Sequence, residues 1–319
     1  MTRFALTMGD PAGVGPEIIV DALCSLDEAF AREVVVFGER TILERAHALS
    51  THPRARALRL DIVETSSDTR FEPGVASAAS GLASIAAIEA ATRACSEGKF
   101  SALITAPINK TALKLAGSPF PGHTEMLAAL CGVPHVTMMF ASERLNVILV
   151  TIHRSLRDAI ADISIDSVTR AIEFAHSAKR ELGCEGRSPR IAVAGLNPHA
   201  SEDGLFGDEE QRFIAPAIAI CRAKGINASG PYPPDTIFMR AINRGEGGEF
   251  DIVVAMTHDH GLIPVKLDGI DRAVNVTLGL PFLRASVDHG TAYDIAWQGK
   301  ASSKNLQHVL RWVKRTIAE

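Results

Sequence analysis

Short apolar, β-branched runs alternate with longer stretches of helical periodicity along the whole chain. The runs predict strands at 3–8, 33–37, 58–64, 101–104, 136–140, 146–152, 190–194, 251–255 and 272–277. Four to eight consecutive apolar residues bounded by turn residues suit a strand buried on both faces, as in a parallel sheet. Amphipathic spacing predicts helices at 16–29, 39–48, 77–97, 122–131, 165–182, 207–223, 289–297 and 302–316. This alternation points to an α/β fold. The helix at 77–97 is mostly Ala, Ser, Gly and Ile, small side chains that let another helix approach closely at a domain or subunit interface.

At 319 residues the chain is long enough for two domains. No stretch has the composition of a flexible linker, so elements rather than a string are expected to join them. Gly/Pro-rich joints at 117–122 and at Asp268-Gly269-Ile270 suggest a discontinuous first domain, 1–120 plus 270–319, and a second domain, 121–269.

Composition narrows the class. Apolar residues make up 46%, charged residues 22%, and the net charge is -4, which argues against nucleic acid or a membrane surface as partner. No apolar run reaches the length of a membrane span. The first fifteen residues turn into a Gly/Pro loop too early for a signal peptide. Cys24, Cys95, Cys131, Cys184 and Cys221 form no CxxC pair and read as reduced thiols of a cytoplasmic protein.

Three histidines, His153, His199 and His258, each follow an apolar run. Ligands of open α/β sheets bind off the carboxyl ends of strands. Three neutral imidazoles facing one open position would make a catalytic divalent-metal site. The richest segment runs from Thr257 to Lys266, where one short loop is expected to offer His258, Asp259, His260 and Lys266.

Other segments leave two readings open. Met8–Glu17 carries a glycine loop into a helix with Pro16 in its first turn, which suits an anion or a tight turn. It is not a GxGxxG fingerprint. His123 and Thr124 stand at a helix start, fit for a phosphate or carboxylate, or for capping alone. The loop from Asn197 to Glu210 is polar and contains glycine, as an active-site rim would. Asp235 follows a proline turn and reads as an N-cap or as a functional carboxylate. Asn275 and Arg284 could bind an acidic ligand, or Arg284 a surface partner.

Taken together, MGDPAGVGPE, TAPINK, GHTE, TIHRSLRDA, GLNPHA, GPYPPDT, HDHG and VNVTLGLPFLRASVDHGTAYDIA resemble the 4-hydroxythreonine-4-phosphate dehydrogenase (PdxA) family over nearly the whole chain. The resemblance implies two α/β/α domains with a cleft between, like isocitrate and isopropylmalate dehydrogenases, in a homodimer. It implies an NAD- and divalent-metal-dependent enzyme that oxidises a hydroxyl β to a carboxylate and releases CO2. Carried over, the metal ligands are His153, His199 and His258, with His258 given across the dimer interface. Substrate contacts are His123, Thr124, Lys266, Asn275 and Arg284. His289, Gly290 and Thr291 resemble the adenosine-side contact for NAD. Lys266 is the implied anion binder and proton donor, and Asp235 and Asp259 are candidates for base or supporting work. Three imidazoles suit Zn, Co or Ni, while a hydroxy-acid chelate could recruit Mg or Mn.

The chain departs from the family pattern at Thr257 (usually Tyr), His260 (usually Gln), Arg154 and Ser155 (usually a small apolar residue and Pro), and Trp297 (usually Gly). The implied substrate is 4-(phosphooxy)-L-threonine, in pyridoxal phosphate synthesis. Alternatives are 4-phosphothreonate or 4-phosphoerythronate, or a cis-dihydrodiol carboxylate of the terephthalate type, for which Arg154 would take a second carboxylate. A remote reading is a non-catalytic metal- or metabolite-binding protein.

Overall fold

The computed structural model describes residues 2–67, 69–242, 248–269 and 272–318. Its strands are β1 (Phe4–Thr7), β2 (Val34–Gly38), β3 (Asp61–Glu64), β4 (Ala102–Thr105), β5 (Thr137–Ala141), β6 (Val147–Leu149), β7 (Ile191–Ala194), β8 (Ala228–Tyr232), β9 (Ile252–Ala255), β10 (Val274–Leu278) and β11 (Leu283–Ser286). The chain divides into two compact units: Met1–Val136 with Leu280–Ile317, and Thr137–Gly279 with Ala318–Glu319. The sequence suggests joints at 120/121 and 269/270, whereas the units divide further along. Met126 and Leu127, on the helix His123–Cys131, pack with Ile88 and Leu103 in the first unit's core. β10 pairs with β5 of the second unit. Ile270, part of one expected joint, lies outside the described residues.

In the first unit the strand order is β3-β2-β1-β4-β11, and every pair is parallel. β3 at the edge is exposed, while β1, β2 and β4 are almost wholly apolar and, with β11, fully buried. That is the expected condition of a parallel sheet. The chain leaves β1 toward β2 and β3, then returns to β4 on the other side. A switch point therefore lies between β1 and β4, where such sheets open a crevice at the strand ends.

The small-residue helix, Ala78–Ser96, lies on this sheet and against the helix Lys110–Leu115. The close approach depends on Gly81, where a Cβ would sit 2.2 Å from the Ala112 carbonyl oxygen.

In the second unit the order is β10-β5-β6-β9-β7-β8. β5 is antiparallel to β10 and β6, while β6, β9, β7 and β8 are parallel. Phe140, Val147, Leu149, Ala192, Val253, Ala255, Leu262 and Val265 share its core.

Four sequence expectations change. The predicted helix at 16–29 is two helices, Gly15–Ser25 and Glu28–Glu33, because Asp27 turns its carboxylate back to cap the second at Phe30 N–H (2.8 Å). The predicted helix at 289–297 is a series of turns. Ala292 and Trp297 have φ of +42° and +63° there, and the backbone N–H of Trp297 goes to the Glu17 carboxylate instead of to a helix carbonyl. The segment expected as a loop after β9 is a helix, His258–Gly269, with Pro264 inside it. Gly261 lets that helix sit down on β6, since a Cβ would lie 2.5 Å from Leu149 Cδ2. Finally, β8 and β11 escape the hydrophobic pattern. β8 contains Gly230 and Pro231, tolerated at the sheet edge. β11 carries a buried arginine in four residues.

Adding one methyl at position 81 should cost about 1–3 kcal/mol of unfolding free energy. Denaturant unfolding of Gly81→Ala checks this. Gly186→Ala, where a Cβ meets nothing within 4 Å, serves as the neutral control.

Candidate active site

His153, His199 and His258 lie within five residues of the ends of β6, β7 and β9. These three strands are adjacent and parallel, so their carboxyl ends share one rim of the second unit. The His153 and His258 ring centroids stand 5.8 Å apart, within reach of one cation at metal–nitrogen bonds of about 2.1 Å. Asp259 Oδ1 lies 2.8 Å from His258 Nδ1. An Nδ1–H donating to that carboxylate leaves Nε2 with its lone pair, the arrangement of a metal-ligating histidine. Among the described residues, no three His, Cys, Asp or Glu side chains close into a metal-binding group.

His199 belongs to an unusual loop. His199, Ala200, Ser201, Glu202 and Asp203 all have left-handed φ, between +44° and +69°. Such a conformation costs about 1–2 kcal/mol per non-glycine residue. Short i→i+3 bonds run along it, from Ala200 N–H to the Asn197 carbonyl (3.1 Å) and from Gly204 N–H to Ser201 (3.0 Å). The buried Glu210 accepts from the Leu196 and Asn197 backbone N–H groups, both at 2.8 Å, and from Asn197 Nδ2 at 2.9 Å. It opens a single turn of π-helix, Glu210–Ile214. The His199 ring faces Phe206 at 6.1 Å.

Among the substrate contacts the resemblance implies, Lys266 is exposed toward the end of the helix His258–Gly269. Asn275 lies on β10 opposite Phe140, its Oδ1 buried with no hydrogen-bond partner among the described residues. Arg154 is exposed, with its Nε 2.8 Å from Asp162 Oδ2. Asp235 is exposed and precedes Thr236, which occupies the N-cap position of the helix Ile237–Ala241 and donates its hydroxyl to the Pro233 carbonyl (3.4 Å) rather than capping. His260 has a buried Nδ1 without a partner among the described residues, and burial lowers its pKa.

The first unit holds the other polar groups. Arg284 on β11 is buried and donates from Nη2 to Thr105 Oγ1 at the end of β4 (2.7 Å). Burial pushes its pKa down to about 10, so it stays cationic at neutral pH. His123 opens the helix His123–Cys131, with Gly122 as N-cap and Thr124 half-buried beside it. The His123 Nε2 is buried with no hydrogen-bond partner among the described residues. Burial, and then the Arg284 charge, hold this imidazole neutral, well below its usual pKa. A fixed cation, a neutral imidazole and a helix N-terminus together suit an anionic ligand.

At the switch point the glycine segment packs on its neighbours without room for side chains. Gly9 has φ +76°, and a Cβ there would lie 2.5 Å from the Pro107 carbonyl oxygen. Gly13 is equally tight against Thr291, and Val14 N–H donates to the Thr291 carbonyl (3.0 Å). His289 Nδ1 lies 2.9 Å from the Gly290 carbonyl oxygen, and its Nε2 is buried without a partner among the described residues.

Two buried carboxylates bind this segment together. Asp10 accepts from Ala12 N–H (2.8 Å) and Tyr293 OH (2.7 Å). Burial raises the pKa of Asp10 and, with the Asp10 contact, that of Tyr293. Glu17 accepts from the backbone N–H groups of Trp297 and Gly299. Trp297 also donates from Nε1 to the Pro11 carbonyl (2.8 Å) and stacks under Arg45, 4.3 Å from its ring centroid.

The sequence reading passed over Glu210, Asp10, Glu17 and Thr105 as individual residues. All lie in or beside quoted motifs, but a carboxylate that accepts from backbone groups has no spacing signature. The cysteines are free thiols, and burial pushes Cys95 up to about 12. Among the described residues no helix is long and apolar enough to cross a membrane.

The chain is 47% identical over 324 residues to a 4-hydroxythreonine-4-phosphate dehydrogenase of Beijerinckia indica subsp. indica, covering 98% of this chain and 94% of that one. It is 43% identical to a D-threonate 4-phosphate dehydrogenase of Salmonella typhimurium, covering 95% of each. The crystal structure of 4-hydroxythreonine-4-phosphate dehydrogenase from Klebsiella pneumoniae matches with a TM-score of 0.88 at 42% identity, over 99% of this chain and 100% of that one. Isocitrate dehydrogenase from Methylococcus capsulatus shares the fold, with a TM-score of 0.51 at 17% identity over 98% of this chain and 85% of that one. The profile of the family described as pyridoxal phosphate biosynthetic protein PdxA matches residues 29–313, and the chain belongs to that family.

Proposed function

We propose that this protein is an NAD- and divalent-metal-dependent dehydrogenase that oxidises the hydroxyl β to a carboxylate and releases that carboxylate as CO2. The substrate we assign is 4-(phosphooxy)-L-threonine, the chemistry named for its relatives. The observation that carries the reading is the pair His153 and His258 on adjacent parallel strands, with Asp259 orienting the second ring.

His153, His199 and His258 would hold the cation, which when bound supplies Lewis-acid polarisation of the substrate oxygen. The remaining work belongs to the chain. Arg284 and His123, with Thr124, take the anionic end, since a buried guanidinium and a helix N-terminus both favour phosphate. Asn275 accepts a hydrogen bond through its buried Oδ1, and Lys266 returns a proton to carbon after CO2 leaves. Asp259 keeps the tautomer of His258, and Asp235 is the candidate to take the hydroxyl proton. His289, Gly290 and Thr291 would hold the adenosine end of NAD, which when bound would supply the hydride acceptor. The glycine segment holds that stretch through Val14 and Gly13.

The reading extends to a homodimer that shares the metal site between copies. Leu267 and Ile263, on the helix opened by His258, are 82% and 59% exposed, and Leu205, on the loop after His199, 72%. These exposed apolar side chains stand next to two of the proposed ligands, where a second copy would pack.

A second reading, D-threonate 4-phosphate as substrate, has the support of a relative at 43% identity. The terephthalate-type dihydrodiol has less, because the Arg154 guanidinium invoked for its second carboxylate is engaged by Asp162 on the surface.

The direct test mixes protein, NAD and Zn, Co, Mn or Mg in turn with each phosphorylated acid and with a cis-dihydrodiol carboxylate. We expect NADH absorbance and matching CO2 only with a phosphorylated acid. Turnover of the dihydrodiol alone would reverse the substrate assignment, and no NADH with any of them would end the dehydrogenase reading.

His199→Ala should weaken metal binding by more than the roughly 10–100-fold typical of a supporting residue. Wild-type turnover by this variant in chelator-treated buffer would refute the metal scheme. Arg284→Lys keeps the charge but loses the planar fork, so KM for the phosphorylated substrate should rise about tenfold, read from initial rates.

A further inference from the structure

The loop that carries His199 is closed by short bonds of its own, such as Ala200 N–H to Asn197 and Phe206 N–H to Ser201, but such bonds do not by themselves select a left-handed run. Five consecutive non-glycine residues in the left-handed region form a conformation that L-residues avoid as a run. Residues 202–208 are exposed, and what meets them is side chains of the segment that follows, with Arg212 on Asp208 at 3.2 Å and Gln211 beside Gly204. The restraint enters just before the run, at Leu196 and Asn197. There Glu210 Oε1 accepts two backbone N–H groups at 2.8 Å each, and Oε2 accepts one hydrogen of the Asn197 amide at 2.9 Å. Glu209 Oε2 takes the other at 2.8 Å. A Cβ at Gly195 would lie 3.0 Å from Glu210 Oε1 and 3.0 Å from Ala200 Cα. The carboxylate, the strand end and the first turn of the run are therefore packed against one another. The π turn that starts at Glu210 opens the helix continued by Ala215–Ala223, so the carboxylate projects from a helix start.

We infer that Glu210 is a positioning residue: its buried carboxylate clamps Leu196 and Asn197 and so sets the left-handed run that presents His199. This rests on the reading of His199 as a metal ligand. Three donors converge on the two oxygens, and only an acceptor on both can satisfy them. Glutamine has the same shape but keeps one acceptor oxygen, so an NH2 faces either Asn197 Nδ2 or the two backbone N–H groups, and Glu210→Gln weakens the clamp and removes its charge with little change in volume.

Two measurements test it on the full-length protein. The first is Co(II) affinity, by competition with a chromophoric chelator, for wild type, Glu210→Gln and His199→Ala. We expect Glu210→Gln to lose about tenfold or more, with an altered Co(II) visible spectrum. The second is hydrogen exchange in metal-free protein, where Glu210→Gln should speed exchange of the amides at 196–206 and leave β6 and β9 protected.

If His199→Ala weakens Co(II) binding and Glu210→Gln stays within twofold of wild type, the inference fails while the ligand reading stands. If His199→Ala binds like wild type, the ligand reading fails, and the exchange rates still decide whether the clamp exists. Unchanged exchange at 196–206 overturns the clamp. Should Glu210→Gln not fold, Asn197→Ala removes only the amide bonds to Glu209 and Glu210. It should then give a smaller loss of Co(II) affinity in the same direction, and no loss would count against the clamp.

Discussion

The parallel pairing of β6, β9 and β7 is the constraint on which the candidate site depends. Parallel strands end on the same side, so a residue just past each end is brought to a common rim however far apart the three lie in sequence. His153 and His258 are separated by more than a hundred residues, and their rings still meet at 5.8 Å. In the first unit the same rule gathers the glycine segment after β1, Thr105 at the end of β4 and the 289–291 stretch after β11. The antiparallel β5 breaks the pattern in the second unit and carries none of the proposed ligands.

Strand ends deliver loops, and loops need to be held. This protein repeatedly uses a buried carboxylate that accepts backbone N–H groups. Asp10 takes Ala12, Glu17 takes Trp297 and Gly299, Glu39 takes Thr69, and Glu210 takes Leu196 and Asn197. An ionised carboxylate accepting such bonds is worth more than a neutral acceptor, and satisfying the amides removes the cost of burying them. The outcome is not uniform. Hydrogen bonds keep Glu39 below its ordinary pKa, whereas burial outweighs them at Asp10 and raises it. The Tyr293–Asp10 contact is thus a bond between a phenol that resists ionisation and a carboxyl that resists it too.

Trp297 shows how a departure from the family pattern is accommodated. The pattern that the sequence resembles has glycine at this position, which suits a backbone φ of +63°. A tryptophan here bears the strain of a left-handed residue. In return its ring is buried, bonded to Pro11 and stacked with Arg45 and Phe71. Burial of an indole of this size outweighs a penalty of about 1–2 kcal/mol. The side chain thereby ties the glycine segment to the stretch assigned to the cofactor.

Much was legible in the sequence because it depends on local chemistry. The apolar runs of β1, β2, β4, β5, β6, β7, β9 and β10 and the small-residue helix follow from composition over a few residues. The motifs around His123, His199 and His258 could be read one by one. The edge strand β8, with its Gly and Pro, and β11, with Arg284, were hidden because sheet pairing, not their own residues, makes them strands. The helix after His258 was hidden by Gly261 and Pro264, whose acceptance depends on packing against β6. The left-handed run at 199–203 contains no glycine to mark it in the sequence, and the carboxylate that bonds the residues before it arrives from another segment. Sequence alone determined which groups could do chemistry, since donor and acceptor character belongs to the residue. Tertiary structure decided which of them face one another and which are fixed, because burial and long-range hydrogen bonds exist only after the strands have paired.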